Sequence, residues 1–260
     1  MKRLILIQND FAGAGKTTLA QCFESYLNTH RVPHHSMVLT ETVSAASSRM
    51  QIDAEELCLP NFIENLEESD LVILEVETVM TDAFQRFFEK QQLDAVLAEL
   101  GYEVTVAIPV TGEEESFDGV MQAAELYADT AQYLVVHSPT GSAYDGESSL
   151  WERSRAARVM DMFEAVDMMM PPSPDSLEFQ LKVRHVELHE IIHTDEDDLV
   201  LHAEVSKWLR KVSAQLDAVK KYAFGDAFRP EVHVIPVTEK KRKSRGRKPK
   251  GALMEALAAA

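Results

Sequence analysis

The 260-residue chain predicts an α/β fold, a mostly parallel sheet covered by helices on both faces, followed by a long C-terminal helix and a basic tail. Three observations carry that prediction. Strand-like and helix-like segments alternate as far as residue 170, the chain order of a parallel sheet with crossover helices. The run Leu71-Val72-Ile73-Leu74 is apolar without alternation, as in a strand buried on both faces. A glycine-bearing turn, Gly13 to Thr18, lies between the first apolar run and the first amphipathic segment.

In order along the chain, Lys2 to Gln8 reads as a strand. Thr17 to Thr29 reads as a helix, with Leu19, Ala20, Phe23, Tyr26 and Leu27 at helical spacing. His35 to Thr40 is a second strand. Asp53 to Glu67 is helical in composition but interrupted by Pro60. After the strand at 71–74, helices are expected near 81–89 and 93–100, a strand at 103–110, a helix at 117–128 and a strand at 133–136. Residues 138–149, rich in Ser, Gly and Pro, read as an irregular loop. A helix at 151–163 and a short strand at 167–170 complete the alternation. The last helix, about 197–222, carries Leu199, Val205, Trp208, Leu209, Val212, Leu216 and Val219 on one broad stripe. Residues 1–223 are expected to form one domain, and 224–260 a linker and tail.

Composition narrows the class. With 45% hydrophobic and 27% charged residues the chain suits a globular protein, and no apolar run approaches the ~20 residues that span a bilayer. Lys2-Arg3 followed by apolar residues resembles a secretory leader, but the run is short and passes directly into the glycine turn. Two cysteines, Cys22 and Cys58, form no framework and read as small buried hydrophobes in a reducing, cytoplasmic setting. The net charge of −17 conceals an asymmetry: residues 240–260 hold eight Lys or Arg and only one acid, Glu255. An acidic body repels nucleic acid, whereas a separate basic tail attracts it.

The segment Asn9-Asp10-Phe11-Ala12-Gly13-Ala14-Gly15-Lys16-Thr17-Thr18 has the residues of a phosphate-binding loop. Small residues let the backbone curl so that successive N–H groups face an anion, and the helix N-terminus adds partial positive charge. The Lys16 ammonium suits the β- and γ-phosphates, and the Thr17 hydroxyl suits Mg²⁺. Gly13, Ala14, Gly15, Lys16, Thr17 and Thr18 are therefore the expected nucleotide-binding residues. The pattern G-x-x-x-x-G-K-[ST] fails at Asp10. The variant K-G-G-x-G-K-T-T fits better, and on Gly13, Gly15, Lys16, Thr17 and Thr18, with Asn9 before them, the sequence resembles the ParA/MinD family of P-loop ATPases. Phe11 stands where that family has its signature lysine, which reaches across an ATP-bound dimer, and Ala12 replaces a glycine. Over about residues 1–180 the chain looks like the plasmid-stability and conjugal-transfer branch, the StbB/TraL-like proteins, through Asp70 to Glu75, Leu97 to Val110 with Thr111-Gly112, and Tyr133 to Val136.

That resemblance implies a three-layer P-loop NTPase using ATP and Mg²⁺, and a weak ATPase switch in plasmid or chromosome partitioning or conjugative DNA transfer. It implies self-association or a protein partner, with the oligomeric state left open by Phe11. Strand-end acids are needed near the phosphates, and Glu41 and Glu75 stand at the right places beside Lys16. The family usually has Asp at these positions, and Glu77 competes with Glu75. A non-hydrolysing adaptor and a P-loop small-molecule kinase or ligase, resembling dethiobiotin synthetase, stay open as alternatives.

Two further motifs remain. His189-Glu190-Ile191-Ile192-His193 matches H-E-x-x-H, which on a helix suits Zn²⁺. Against it, Glu187 and Asp195 flank the motif with charge, and Val183 to Leu188 alternates as a strand would. No third ligand stands at a usual spacing, with Glu204 the candidate left open. Asp195 to Asp198 reads as an anionic cap of the last helix. In the tail, Arg245-Gly246-Arg247-Lys248-Pro249 looks like an AT-hook, an extended Arg-Gly-Arg core for the narrow minor groove of A·T-rich DNA. Residues 240–250 are thus the expected DNA contact, disordered when free, with a solubilising tail or one that binds RNA or a membrane surface left open. Ala252 to Ala260 could form a short docking helix.

Overall fold

The computed structural model describes residues 1–44, 47, 49–138, 150–184, 186–193 and 199–231. The loop at 139–149, the acidic run at 195–198 and the whole tail from 232 lie outside the described residues.

Seven strands form one sheet in the order β3-β2-β4-β1-β5-β6-β7. They are β1 (Lys2–Ile7), β2 (His35–Leu39), β3 (Met50–Ile52), β4 (Leu71–Val76), β5 (Tyr102–Val110), β6 (Ala131–His137) and β7 (Val166–Met169), and every pairing is parallel. The strand alternation therefore produced the expected class. Parallel neighbours demand helical crossovers, and these cover both faces. In β1 the two faces separate by period two. Leu4 and Leu6 enter one core with Phe62, Phe84 and Tyr127, while Ile5 and Ile7 enter the other with Phe23, Trp208 and Phe224. Arg3, which looked like part of a leader, is 3% exposed and bonds Thr105, Gln132 and Glu103 across the sheet.

The helices are α1 (Lys16–Thr29), α2 (Leu59–Glu67), α3 (Thr81–Gln91), α4 (Leu93–Glu99), α5 (Asp118–Tyr127), α6 (Arg155–Met162), α7 (Asp175–Glu178), α8 (Leu188–His193) and α9 (Leu199–Phe224). Four sequence expectations need correction. Pro60 does not interrupt a helix but lies in the first turn of α2, where a missing N–H costs nothing; residues 53–58 form a turn between β3 and α2. Helix 151–163 is divided at Ser154, whose Oγ accepts from Ala157 N at 2.9 Å and starts α6 afresh. The period-two stretch before residue 188 is no strand: α7 and a π-turn at Phe179–Val183 lead into α8. Cys58 is exposed as the N-cap of α2, although Cys22 is buried as expected.

Helix α9 lays Leu201, Val205, Trp208, Val212, Leu216 and Val219 on the sheet, whereas Leu199 is 73% exposed and leaves the stripe. Trp208 Nε1 donates to Pro171 O at 2.9 Å. Phe224 packs on Phe23 and Tyr26 of α1, and Phe228 joins them, so the packed body continues to that residue. Among the described residues no helix is long and apolar enough to cross a membrane.

Candidate nucleotide-phosphate site

Strand β1 lies between β4 and β5, and the chain leaving it through α1 goes to β2 on the far side of β4. Crevices at the carboxyl ends of such parallel strands are where α/β sheets hold ligands. The glycine turn sits there. Gly13 and Gly15 have φ of +83° and +95°, a left-handed backbone that glycine adopts without a Cβ penalty. Gly15 is the N-cap of α1 and brings no side-chain cap, and no acidic residue sits in the first turn. The free N–H groups of that turn are thus left for an external acceptor.

Asn9 holds the loop in place. Its Nδ2 donates to Pro109 O at 2.8 Å and Ser116 O at 2.9 Å, and its Oδ1 accepts from Phe11 N at 2.8 Å. Pro109 is tolerated inside β5 because β1 pairs only as far as Ala107. Gly119 on α5 backs this clamp so closely that a Cβ there would lie 2.4 Å from Asn9 Oδ1.

Lys16 is 7% exposed, and its Nζ donates to Asn9 O at 2.7 Å, to Thr78 Oγ1 at 2.8 Å and to Phe11 O at 3.4 Å. Burial lowers its pKa, opposed by the charges of Glu75, Asp10 and Glu77. The ammonium thus rests on neutral oxygens of the loop and of Thr78, just after β4, which a phosphate can replace with charged ones. Thr17 Oγ1 donates to Glu75 Oε1 at 2.5 Å. Glu75, near the end of β4, is 1% exposed and also accepts from Arg49 Nη1. Glu77 Oε2 accepts from Thr40 Oγ1 at 2.8 Å.

These groups line a cavity of about 620 Å³ that also takes in Gly13, Gly15, Thr18, Gln21 and Thr42. Of the residues read from sequence, the structure brings together Gly13, Gly15, Lys16, Thr17, Thr18 and Glu75. Ala14 is buried behind the loop, and Glu41 is exposed and does not line the cavity. Glu77 does line it. Sequence reading missed Arg49, Thr40 and Gln21. A larger groove of about 1230 Å³ between α5 and α6, lined by Glu114, Glu115, Asp118, Arg153 and Arg155, presents mixed charge with no comparable loop.

The cavity fits a phosphate chain with its metal. It offers a glycine cradle open in front of Gly13, an uncapped helix N-terminus, a buried ammonium, and a hydroxyl beside a buried carboxylate. One side is closed by Leu181, Val186 and Glu187, and Leu188 N donates to Gln21 Oε1 at 3.0 Å. The His189–His193 motif forms α8 of this cover. Leu188 and Ile191 are buried on that helix, and the Glu190 carboxylate accepts from Glu187 N at 3.1 Å at the helix start. Among the described residues no group of three or more His, Cys, Asp or Glu could hold a metal. Arg245, Gly246, Arg247 and Lys248 lie outside the described residues.

No protein-family model matches the chain, and no curated protein matches it by sequence. Two solved structures align with most of it: the MinC:MinD cell division protein complex of Aquifex aeolicus and the MinD cell division protein of the same organism. Each is 13% identical with a TM-score of 0.45; 82% of this chain is covered in both cases, with 96% and 97% of those chains. The α/β fold of this chain stands on its own strand order and on the helix-capping glycine loop that follows β1.

Proposed function

We propose that this cavity binds Mg²⁺-ATP and that the chain is a nucleotide-dependent switch of the ParA/MinD kind, acting in partitioning or conjugative transfer of DNA. The observation that carries the reading is the uncapped N-terminus of α1, with buried Lys16 and with Thr17 bonded to Glu75. Backbone N–H groups from Gly13 to Thr18 would hold the phosphates, with Lys16 exchanging its loop oxygens for theirs. Thr17 and Glu75 would hold Mg²⁺, which supplies charge neutralisation of the phosphates when bound. Glu77, tied to Thr40 at the end of β2, is placed to couple the site to that strand. Glu41 stands exposed one residue beyond Thr40. Residues 240–250 supply nonspecific DNA affinity, supported by their eight positive charges. The compartment we assign is the cytoplasm.

A second reading, an adaptor that binds nucleotide without hydrolysing it, is favoured by one observation. The buried carboxylate of the cavity, Glu75, is already engaged by both Arg49 and Thr17.

The test is calorimetry with Mg²⁺-ATP on the wild type and on Lys16→Ala. Wild type is expected to bind, and the variant to lose about 3 kcal/mol, roughly a hundredfold in Kd, from charge-assisted bonds to phosphate. Equal binding by the two proteins, or none by either, removes the phosphate-loop reading. DNA-stimulated hydrolysis then separates switch from adaptor. Deleting 240–260 is expected to abolish DNA binding and leave nucleotide binding intact; an active small-molecule enzyme would not respond to that deletion.

A further inference from the structure

Arg49 belongs to no part of the phosphate machinery described so far. It directly precedes β3 at the edge of the sheet, yet its side chain reaches past β2 to β4 and is 8% exposed. Nη1 donates to Glu75 Oε2. Nε is buried without a hydrogen-bond acceptor, the nearest carboxylate oxygen being Glu24 Oε1 at 4.0 Å. Burial lowers the guanidinium pKa, but Glu75, Glu24 and Glu187 together more than restore it, so the group is a permanent cation. A guanidinium has five donors in a planar fork. Among the described residues its side-chain hydrogen bond goes to Glu75 alone.

Glu75 faces the opposite difficulty. Its Oε1 accepts from Thr17 and its Oε2 from Arg49, so each oxygen suited to a divalent cation already accepts one hydrogen bond, that on Oε2 from a cation. A cation drawing on Glu75 competes with Arg49 for that carboxylate. A guanidinium displaced from Glu75 loses its hydrogen-bonded carboxylate and keeps only the more distant charge of Glu24, 4.0 Å from Nε, and of Glu187, while facing the loop that holds phosphates. Phosphate, like carboxylate, is an oxyanion that the fork fits bidentately.

We propose that Arg49 is a phosphate ligand held in reserve on Glu75, passing to the terminal phosphate of a nucleoside triphosphate when a divalent cation takes the carboxylate. The proposal rests on the Mg²⁺-nucleotide reading of the cavity. It makes Arg49 a determinant of triphosphate over diphosphate. The handover needs an anionic group beyond those satisfied by the loop N–H groups and Lys16, and a diphosphate has one fewer to give. It also makes the preference depend on the cation, because without it Glu75 retains Arg49.

The experiment measures ATP and ADP affinities by calorimetry on the full chain, with Mg²⁺ and with EDTA, for wild type, Arg49→Met and Arg49→Lys. Thermal melting of each variant reports folding. Wild type is expected to prefer ATP in Mg²⁺ and to lose that preference in EDTA. Arg49→Met, which keeps the aliphatic stem, is expected to lower the ATP-to-ADP preference roughly tenfold or more, as expected for loss of a charge-assisted bond to phosphate. Arg49→Lys keeps the charge but not the fork and should fall between. If Arg49→Met does not fold, Arg49→Lys decides alone, with a preference reduced severalfold expected. A preference unchanged in the folded variants, or equal losses for ATP and ADP, overturns the proposal while leaving the cavity a nucleotide site. Wild type that binds neither nucleotide overturns both.

Discussion

The ion pair between Arg49 and Glu75 gives a stability prediction that requires no nucleotide. The two side chains are 8% and 2% exposed, with N and O in hydrogen-bond contact, so water screens them little. Charge centres about 4 Å apart attract by about 4 kcal/mol at an effective dielectric near 20. Removing one partner strands the other as a buried charge, a loss of the same size, about 3–5 kcal/mol. For Glu75→Gln the lower end applies, because Glu24 remains 4.0 Å from Arg49 Nε. For Arg49→Met the upper end applies, since Glu75 then keeps only the Thr17 hydroxyl as a hydrogen-bond donor. The double variant strands neither member of the pair, so its cost should fall short of the two single costs combined by about 3 kcal/mol. Urea unfolding of the four proteins, followed by circular dichroism in EDTA, measures this coupling. A coupling below about 0.5 kcal/mol, the level of a solvent-exposed pair, would refute the claim that the pair is buried and mutually compensating.

Two further outcomes follow from the packing. Gly119→Ala drives a Cβ against Asn9 Oδ1, with Asp10 Oδ1 at 2.8 Å as a second obstacle, and Asn9 is fixed by three hydrogen bonds. A loss of about 1–3 kcal/mol is expected with weakened nucleotide binding; melting and affinity both unchanged would show that the clamp does not set the loop. Glu24, 18% exposed, has its carboxyl pKa raised by burial, against the bond from Ser36 and the charge of Arg49. A raised folded value means that the folded state binds the proton more tightly. Its stabilising effect is full below the ordinary Glu range and is lost as pH rises through the folded value. Glu24→Gln should therefore be more stable than wild type at neutral pH, with the difference vanishing below about pH 4. Stability curves by urea at several pH values check this, and a gap that widens on acidification contradicts it.

The sequence by itself determined what is local and contiguous. Strand β1, the glycine turn and α1 occupy one unbroken stretch, so the positive-φ glycines, Lys16 and Thr17 were all legible before any fold was known. Strand β4 was legible too, because burial on both faces leaves an apolar run with nothing to alternate. Turn chemistry was harder to read. Pro60 breaks a helix in the interior and opens one at the first turn, and the residues alone did not say which position it held. The stretch before α8 alternates like a strand, yet Val186 lines the cavity and Leu188 N bonds Gln21 of α1, contacts outside that window.

Only the tertiary structure decided which carboxylates meet the phosphate loop. Glu41 and Glu75 stand at equivalent places in the chain, but β4 is the neighbour of β1 and β2 lies one strand further out. Glu75 is consequently buried against Thr17, while Glu41 is exposed and Glu77 takes the second place in the cavity. Arg49 follows the same logic from the sheet edge, since the length of its side chain carries its charge past a strand to Glu75. Gly119 meets Asn9 across more than a hundred residues of chain. Pairings of that kind depend on strand order and side-chain reach, and those are settled when the sheet assembles rather than by any window of sequence.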